Sequence, residues 1–304
     1  MGMKSIIWKD VELRAHQNIA GVVYQSEKQF DNQVDETARA IFDNSALKVM
    51  FVAGPSSSGK TTFSNLLIND LQALGIRAHY IGLDDFFINR DDVPLLPSGL
   101  KDFDNITALD LPLVHEVIGG LMNGDWVEVP EYDFLTGRRK EDKRIVRLYE
   151  QDVVIVEGIH ALNPIFSQGY DKEKYAKISI KPRRNFEMPS GRILTSDELR
   201  LLRRSLRDFY TRGYTFEETA KQWQEVCAAE NKYITPYMES ADFKIDSAHE
   251  YELFIYKQLI GKYLEKCYID EFQNARHCIA EVSNKQDIKI PEASLLNEFA
   301  TFDK

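Results

Sequence analysis

The sequence predicts an α/β fold in which a parallel sheet is covered by helices on both faces. Short apolar runs typical of buried strands alternate with segments in which apolar residues recur at helical spacing. Strands that alternate with helices pair in parallel, and such a sheet binds its ligands at the carboxyl ends of its strands. The predicted strands span residues 48–53, 76–83, 152–157, 176–181 and 242–246.

Three regions are predicted along the chain. Residues 1–46 form an N-terminal helical leader, residues 47–248 form the domain that contains the sheet, and residues 249–304 form a C-terminal helical extension. Within the domain, two apolar runs flank a polar turn and indicate a β-hairpin arm at 126–149. Helical spacing predicts the domain's helices at residues 62–71, 110–122, 196–210 and 216–238.

Bulk properties favour a soluble enzyme. The 304 residues carry a net charge of −10, which argues against a nucleic acid or an anionic membrane as the main partner. The three cysteines form no C-x-x-C pair and predict free thiols in a reducing compartment. No apolar run reaches membrane-spanning length, so a cytoplasmic location is expected. The composition leaves homo-oligomerisation open.

One segment carries the clearest functional signal. Residues Gly54-Pro-Ser-Ser-Ser-Gly-Lys-Thr61 match the pattern G-x-x-x-x-G-K-[ST] at every fixed position, between a predicted strand and a predicted helix. Backbone N–H groups and a helix N-terminus then converge on one anion, as in a P-loop NTPase-type sheet. Lys60 adds a positive charge for the outer phosphates of a nucleoside triphosphate, and the Thr61 hydroxyl can bind Mg²⁺. The predicted nucleotide-binding residues of this loop are Gly54, Ser56, Ser57, Ser58, Gly59, Lys60, Thr61 and Thr62.

Carboxylates follow or end two of the predicted strands. Glu157 can hold the Mg²⁺ that Thr61 also contacts, or it can face solvent. Asp84 and Asp85 end another strand, where one carboxylate can orient an acceptor hydroxyl and take its proton. The other can serve as a helix cap or as a solvated loop residue. The residue pattern leaves open which of the two is the base.

A segment rich in arginine follows the fourth predicted strand. With helical spacing, Arg200, Arg203 or Arg204, and Arg207 share a face opposite the leucines. In an acidic protein such a stripe indicates a phosphate clamp, and a solvated face paired to Glu and Asp is the alternative. Residues 183–213 are predicted to form a mobile helical lid over the triphosphate. The arginines of this segment are Arg200, Arg203, Arg204, Arg207 and Arg212.

Six segments together resemble the uridine kinase / phosphoribulokinase family, over residues 47–248. The resemblance implies a kinase that uses ATP, or GTP, with Mg²⁺. Its implied reaction is phosphorylation of the 5′-hydroxyl of a ribonucleoside, with uridine and cytidine foremost. The segments that carry it are Gly54–Thr61, Asp84–Arg90, Phe103–Asp104, Pro130–Phe134, Val156–Leu162 and Leu202–Gly213.

The resemblance also implies roles for individual residues around the phosphates. Asp84 would be the general base and a neighbour of the metal, which Thr61 and Glu157 would hold. Arg207 and Arg212 would face the triphosphate, Arg207 as a catalytic residue together with Lys60.

On the acceptor side, the resemblance implies a nucleoside pocket that departs from the family pattern at two positions. Gly137 stands where a base-contacting histidine is expected, and Tyr214 where an arginine is expected. Base selection should therefore be loose, and Gly137→Ala should change it little. The residues implied to line the pocket are Asp104 at the ribose hydroxyls, Tyr132 at the base, Arg204 and Gln222. From the residue pattern, core packing is the alternative for Tyr132.

Two other functions remain open at this point. A kinase for another sugar or a sugar phosphate would need extra cations near Asp104, and the loop from residue 91 to 104 offers only Lys101. A nucleotide-sensing regulator that hydrolyses ATP slowly would have no use for an acceptor-side carboxylate or an arginine-rich lid.

Overall fold

The chain folds around a parallel sheet of five strands. The computed structural model describes residues 5–95, 99, 101–285 and 288–299. Its strands are β1 (Ile6–Ile7), β2 (Val49–Ala53), β3 (Ala78–Gly82), β4 (Val127–Val129), β5 (Tyr132–Asp133), β6 (Arg138–Arg139), β7 (Arg144–Val146), β8 (Val153–Glu157), β9 (Tyr175–Lys181), β10 (Phe186–Glu187), β11 (Ile193–Leu194) and β12 (Phe243–Asp246).

The order of the central sheet is β12-β9-β2-β8-β3, and all four pairings are parallel. The five strands predicted from the sequence are these strands, and the α/β fold class is confirmed. Because β2 lies in the middle, the segment that follows it emerges at the centre of the carboxyl edge. This is where ligands bind in such sheets.

Helices cover both faces of the sheet. They are α1 (Trp8–Phe42), α2 (Lys60–Ala73), α3 (Leu111–Asn123), α4 (Ser196–Arg207), α5 (Phe216–Tyr233), α6 (Thr235–Met238), α7 (Glu252–Glu265) and α8 (Gln273–Ala280). The alternation of β2 shows how the two layers arise. Met50 and Val52 belong to the core on the α1, α2 and α7 side, whereas Val49, Phe51 and Ala53 belong to the core on the α3 side. A strand buried on both faces is apolar throughout, as the sequence is here.

The hairpin arm consists of two short antiparallel pairs. Strand β4 pairs with β7, and β5 pairs with β6 beyond it. The backbone N–H of Tyr132 donates to Asp85 at 3.2 Å, so the arm is held against the end of β3. The arm therefore borders the carboxyl edge of the sheet.

The arginine-rich segment differs from the single helix predicted. Helix α4 ends at Arg207, and a π-helical turn, Asp208–Arg212, follows it. The preceding stretch, 183–194, is fastened to the body: β10 pairs with β1 and with β11, and the Arg184 guanidinium is ion-paired with Asp246. Strands of two residues are too short to show a periodic pattern, so this small sheet was not predicted from the sequence.

The C-terminal residues return to the carboxyl edge of the sheet. Residues 288–299, which we call the C-terminal strap, contain a 3₁₀ turn, Leu295–Glu298, whose two leucines are fully buried. Of the helices that the structure describes, none has the length and apolar character that crossing a membrane requires.

Candidate active site

The phosphate loop lies between β2 and α2, at the centre of the carboxyl edge. Helix α2 begins at Lys60, directly after Gly59, whose φ of 89° lies in the left-handed region that glycine tolerates best. The loop backbone is also tied to α5, because the N–H of Ser56 donates to the Glu230 carboxylate at 2.7 Å. The loop thus presents the N-terminus of α2 to an open cleft, as an anion site requires.

The cleft has a volume of about 540 Å³. Its walls come from the phosphate loop, the ends of β3 and β8, the hairpin arm, the arginine-rich segment and the C-terminal strap. Among the residues that line it are Ser56, Ser57, Lys60, Thr61, Asp84, Asp85, Asp104, Phe134, Glu157, Arg204, Arg207, Arg212, Glu230 and Glu298.

Thr61 and Glu157 meet at one end of this cleft. The Thr61 hydroxyl donates to Glu157 Oε2 at 3.1 Å, and the Tyr80 hydroxyl donates to the same oxygen at 2.8 Å. Burial and the charge of Glu157 raise the pKa of Tyr80 well above its usual range, so Tyr80 remains a proton donor. Sequence reasoning missed Tyr80. Its position two residues before the end of β3, on the face that Gly82 shares, was the available signal.

Asp84 and Asp85 differ in their surroundings. Asp84 is reached by solvent from the cleft, although protein atoms surround it on most sides. Burial raises the pKa of Asp84 to about 6, the charge of Glu157 raises it further in the same direction, and Lys60 opposes the shift. Asp85 has a different role, because its carboxylate accepts the Tyr132 N–H. The structure thus separates two carboxylates that the sequence left equivalent.

Three arginines converge on one buried carboxylate. Asp208 is fully buried and ion-paired with Arg204, Arg207 and Arg212, at 3.3, 2.9 and 3.4 Å. The π-helical turn brings Arg212 back toward the other two. Three arginines around one carboxylate leave an excess of positive charge, which suits the binding of a polyphosphate. Sequence reasoning named the arginines but missed Asp208, which stands in the middle of the run.

The other two arginines of the predicted stripe form buried ion pairs. Arg200 is ion-paired with Glu230 and donates to the Ser56 carbonyl at 3.0 Å. Arg203 is fully buried and forms an ion pair with Glu252 at 3.0 Å. These two side chains are neither solvated nor part of the cleft wall, so the stripe predicted as a single face is divided between a buried set and a cleft-lining set.

The acceptor-side residues are only partly brought together. Asp104 and Arg204 line the cleft, and burial raises the pKa of Asp104 while Arg204 opposes the shift. Tyr132 is buried in an aromatic group, with its ring centroid 5.6 Å from Phe87 and 5.2 Å from Phe134. Phe134, not Tyr132, reaches the cleft wall. Gln222 lies on α5 and is not among the residues that line the cleft.

Gly137 is tightly packed, which sequence reasoning did not foresee. Its φ is 71°, and a Cβ at this position would lie 2.7 Å from Arg90 Cβ. The Arg90 guanidinium donates to the Phe134 carbonyl. The space that a side chain at position 137 would need is therefore taken by Arg90, so alanine would be strained there. The expected small effect of Gly137→Ala on base selection stays a prediction.

The residues present fit a magnesium ion. Within the described residues no group of three or more His, Cys, Asp or Glu could hold a metal. Magnesium beside a nucleotide, however, needs only one or two protein oxygens, because phosphates and waters complete its shell. Thr61 and Glu157 are already adjacent at 3.1 Å.

The parallel sheet, the phosphate loop and the strand-end carboxylates define the class of protein: a P-loop α/β protein built for phosphoryl transfer. A model of the phosphoribulokinase / uridine kinase family matches residues 49–253. The chain belongs to that family.

The chain is similar to several individual proteins. Uridine kinase of Macrococcus caseolyticus is 30% identical over 199 residues, which are 65% of this chain and 86% of that protein. Uridine kinase of Mycoplasma genitalium is 32% identical over 177 residues, which are 58% of this chain and 74% of that protein. A solved structure described as a possible uridine kinase from Bacillus stearothermophilus is 19% identical, with a TM-score of 0.46 over 71% of this chain and 98% of that one. The family and the sequence relatives indicate a kinase.

Proposed function

We propose that the protein transfers the γ-phosphate of ATP to the 5′-hydroxyl of a ribonucleoside, with uridine and cytidine as the first candidates. One observation carries the proposal: Asp84 lies in a single cleft with Lys60 and Asp104, and its pKa is raised to about 6. A carboxylate of that pKa is ionised at neutral pH and is basic enough to take the proton of a hydroxyl group.

The donor site follows from the phosphate loop. ATP, or GTP, would be held by the backbone of residues 54–62, by Lys60 and by the arginines that surround Asp208. Mg²⁺ would be held by Thr61 and Glu157, with Asp84 nearby, and it supplies charge neutralisation on the outer phosphates when bound.

The chain's own residues account for the remaining steps. Lys60, Arg207 and Arg212 stabilise the negative charge of the transferring group from fixed positions, which needs no reorganisation during the reaction. Asp84 orients the acceptor hydroxyl and receives its proton. The arginine-rich segment excludes water from the phosphoryl group when it closes over the cleft.

The acceptor site supports a nucleoside. The Asp104 carboxylate can accept two hydrogen bonds from the ribose cis-diol, and the half-exposed Phe134 ring can stack on a flat base. Two relatives that are 30% and 32% identical over the aligned residues bear the name uridine kinase. Because Tyr132 is buried, Phe134 is the better candidate for the stacking role.

A screen of ADP release tests the proposal. The acceptors are the common ribonucleosides, their 2′-deoxy forms, pentoses and pentose phosphates, and Asp84→Asn is the control. Uridine and cytidine should give the highest kcat/KM, and 2′-deoxynucleosides should be poor because they lack half of the diol. A pentose or pentose phosphate above every nucleoside would overturn the acceptor. ATP turnover that no acceptor stimulates would favour the regulator instead.

A further inference from the structure

The C-terminal strap lies directly against the phosphate loop, although it is outside the matched family region. The Thr62 hydroxyl donates to Glu298 Oε2 at 3.0 Å. A Cβ at Gly59 would lie only 2.2 Å from Leu295 Cδ1, so the leucine packs on the loop backbone itself. The Phe299 ring lies 5.0 Å from the guanidinium of Arg203. The strap therefore reaches the donor side of the site.

The strap is an integral part of the fold. Leu295, Leu296 and Phe299 are at most 1% exposed. The Ser294 hydroxyl donates to Glu27 of α1 at 2.7 Å, which ties the strap to the N-terminal helix. Burial of these three large apolar side chains holds the strap against the body of the protein, because removing them from water stabilises the folded state.

The position of the strap relative to the reacting groups determines what it can contact. Asp84 follows β3 and Glu157 ends β8, so the reacting end of the triphosphate points to that half of the sheet. The strap lies on the other half, beside Arg203, whose guanidinium donates to the Ser247 carbonyl just after β12 at 2.7 Å. A triphosphate whose γ-phosphate lies near Asp84 therefore extends past Thr62, and its nucleoside end lies toward the strap.

Glu298 is the strap residue that faces the cleft. Its carboxylate accepts from Thr62 through Oε2, and among the described residues nothing donates to its Oε1. No ion pair with Lys or Arg of the described chain neutralises it either. A carboxylate in this state has free acceptor capacity for hydroxyl or amino groups.

We propose that the C-terminal strap forms a wall of the donor site and that Glu298 binds the nucleoside part of the donor, as a hydrogen-bond acceptor for its hydroxyl or amino groups. The proposal rests on the proposed use of a nucleoside triphosphate. It makes Glu298 a residue that distinguishes a nucleotide from a bare polyphosphate, since the contact lies beyond the phosphates.

Binding of two magnesium-loaded probes, ATP and inorganic tripolyphosphate, tests this role by isothermal titration calorimetry. The full-length variants are Glu298→Ala, Glu298→Gln and the control Glu292→Ala, whose residue is exposed on the same strap. Glu298→Ala should weaken ATP about tenfold, as expected for a hydrogen bond to a charged group, and leave tripolyphosphate within about twofold. Glu298→Gln should lose less, because its amide oxygen still accepts. Glu292→Ala should bind both probes as the wild type does.

Each other outcome overturns the proposal. Equal weakening of both probes would show that Glu298 supports the phosphate loop. Tighter binding of both would show that its charge repels phosphates and acts as a plug. Unchanged binding would show no contact at all. Nucleoside phosphorylation by the wild type, assayed in the same preparation, tests the proposed acceptor separately from Glu298.

Discussion

At the scale of single residues, the neighbouring carboxylates of Asp84 and Asp85 have different surroundings. Asp84 and Asp85 end the same predicted strand, and both line the cleft. Only the structure shows that Asp85 accepts the Tyr132 N–H and that Asp84 stands beside Lys60 with a raised pKa. The pairing of Asp85 with the arm is a long-range contact, for which adjacent residues in a sequence carry no signal.

Asp84→Asn should lower kcat by about two to four orders of magnitude while ATP binding stays largely intact. The amide keeps the shape of the side chain but cannot take the proton. Steady-state kinetics with uridine, together with ATP titration, measure both quantities. Asp85→Asn is the matched variant. A large loss of kcat in Asp85→Asn, together with little loss in Asp84→Asn, would reverse the two assignments.

The raised pKa of Asp84 predicts an acidic limb in the rate profile. The base is active when ionised, so the rate is full above the pKa and falls as the pH drops through it. Since the pKa is about 6 without a metal and a bound cation lowers it, log kcat/KM should decline with unit slope at or below about pH 6. The limb should be missing from the residual activity of Asp84→Asn, and its persistence there would assign the limb to another group.

Lys60→Ala should abolish turnover in a protein that remains folded. Lys60 neutralises charge that develops on the transferring phosphoryl group, and its position at the start of α2 leaves the helix intact when the side chain is shortened. Circular dichroism checks the fold, and ADP release checks the activity. Near wild-type turnover would contradict the role of the phosphate loop.

Gly137→Ala should destabilise the protein by roughly 2–3 kcal/mol, since alanine is strained at positive φ and Arg90 must also move. Gly169→Ala is the matched control, because Gly169 also has a positive φ but nothing lies within 4 Å of its Cβ position. The control should lose about 1 kcal/mol. Denaturant unfolding compares the two variants, and equal losses would show that Arg90 yields without cost.

At the scale of elements, helix α4 shows that helical spacing in a sequence does not predict the tertiary partners of its side chains. Helical spacing predicts Arg200, Arg203 and Arg207 on one face of α4, but Arg200 and Arg203 are buried whereas Arg207 lines the cleft. It cannot show that Glu252, on the distant helix α7, forms a fully buried ion pair with Arg203. The partner is 49 residues away along the chain, so only the tertiary fold reveals it.

Arg203→Ala should cost about 3–5 kcal/mol of unfolding free energy, because Glu252 would remain buried and uncompensated. Arg207→Ala should cost far less, since Arg204 and Arg212 still pair with Asp208. Arg207→Ala should instead reduce kcat. The contrast between chemical denaturation and kinetics separates the two residues, and a stable Arg203→Ala protein would contradict the buried-pair argument.

The structure limits which part of the predicted lid, residues 183–213, can move over the cleft. Residues 183–194 are fastened to the body, whereas residues 209–215 are exposed at the mouth of the cleft. Tryptic cleavage after Arg212 should therefore slow when a non-hydrolysable ATP analogue is added, because closure orders this turn. Cleavage that does not respond to nucleotide would argue that the turn stays in one position.

At the scale of the whole molecule, the sequence predicts the sheet and its carboxyl-edge site because both depend on local patterns. Five apolar runs and one glycine-rich loop define them. The closing of the site by the C-terminal strap could not be predicted. It depends on the contact of Glu298 with Thr62, which are separated by 236 residues.

The identity of the phosphorylated product tests the central claim most directly. The wild type is incubated with ATP, Mg²⁺ and uridine, and phosphorus NMR follows the products, with Lys60→Ala as the blank. We expect ADP and a nucleoside monophosphate in equal amounts, with the phosphorus coupled to the two C5′ protons. Release of inorganic phosphate without a phosphorylated nucleoside would contradict the claim.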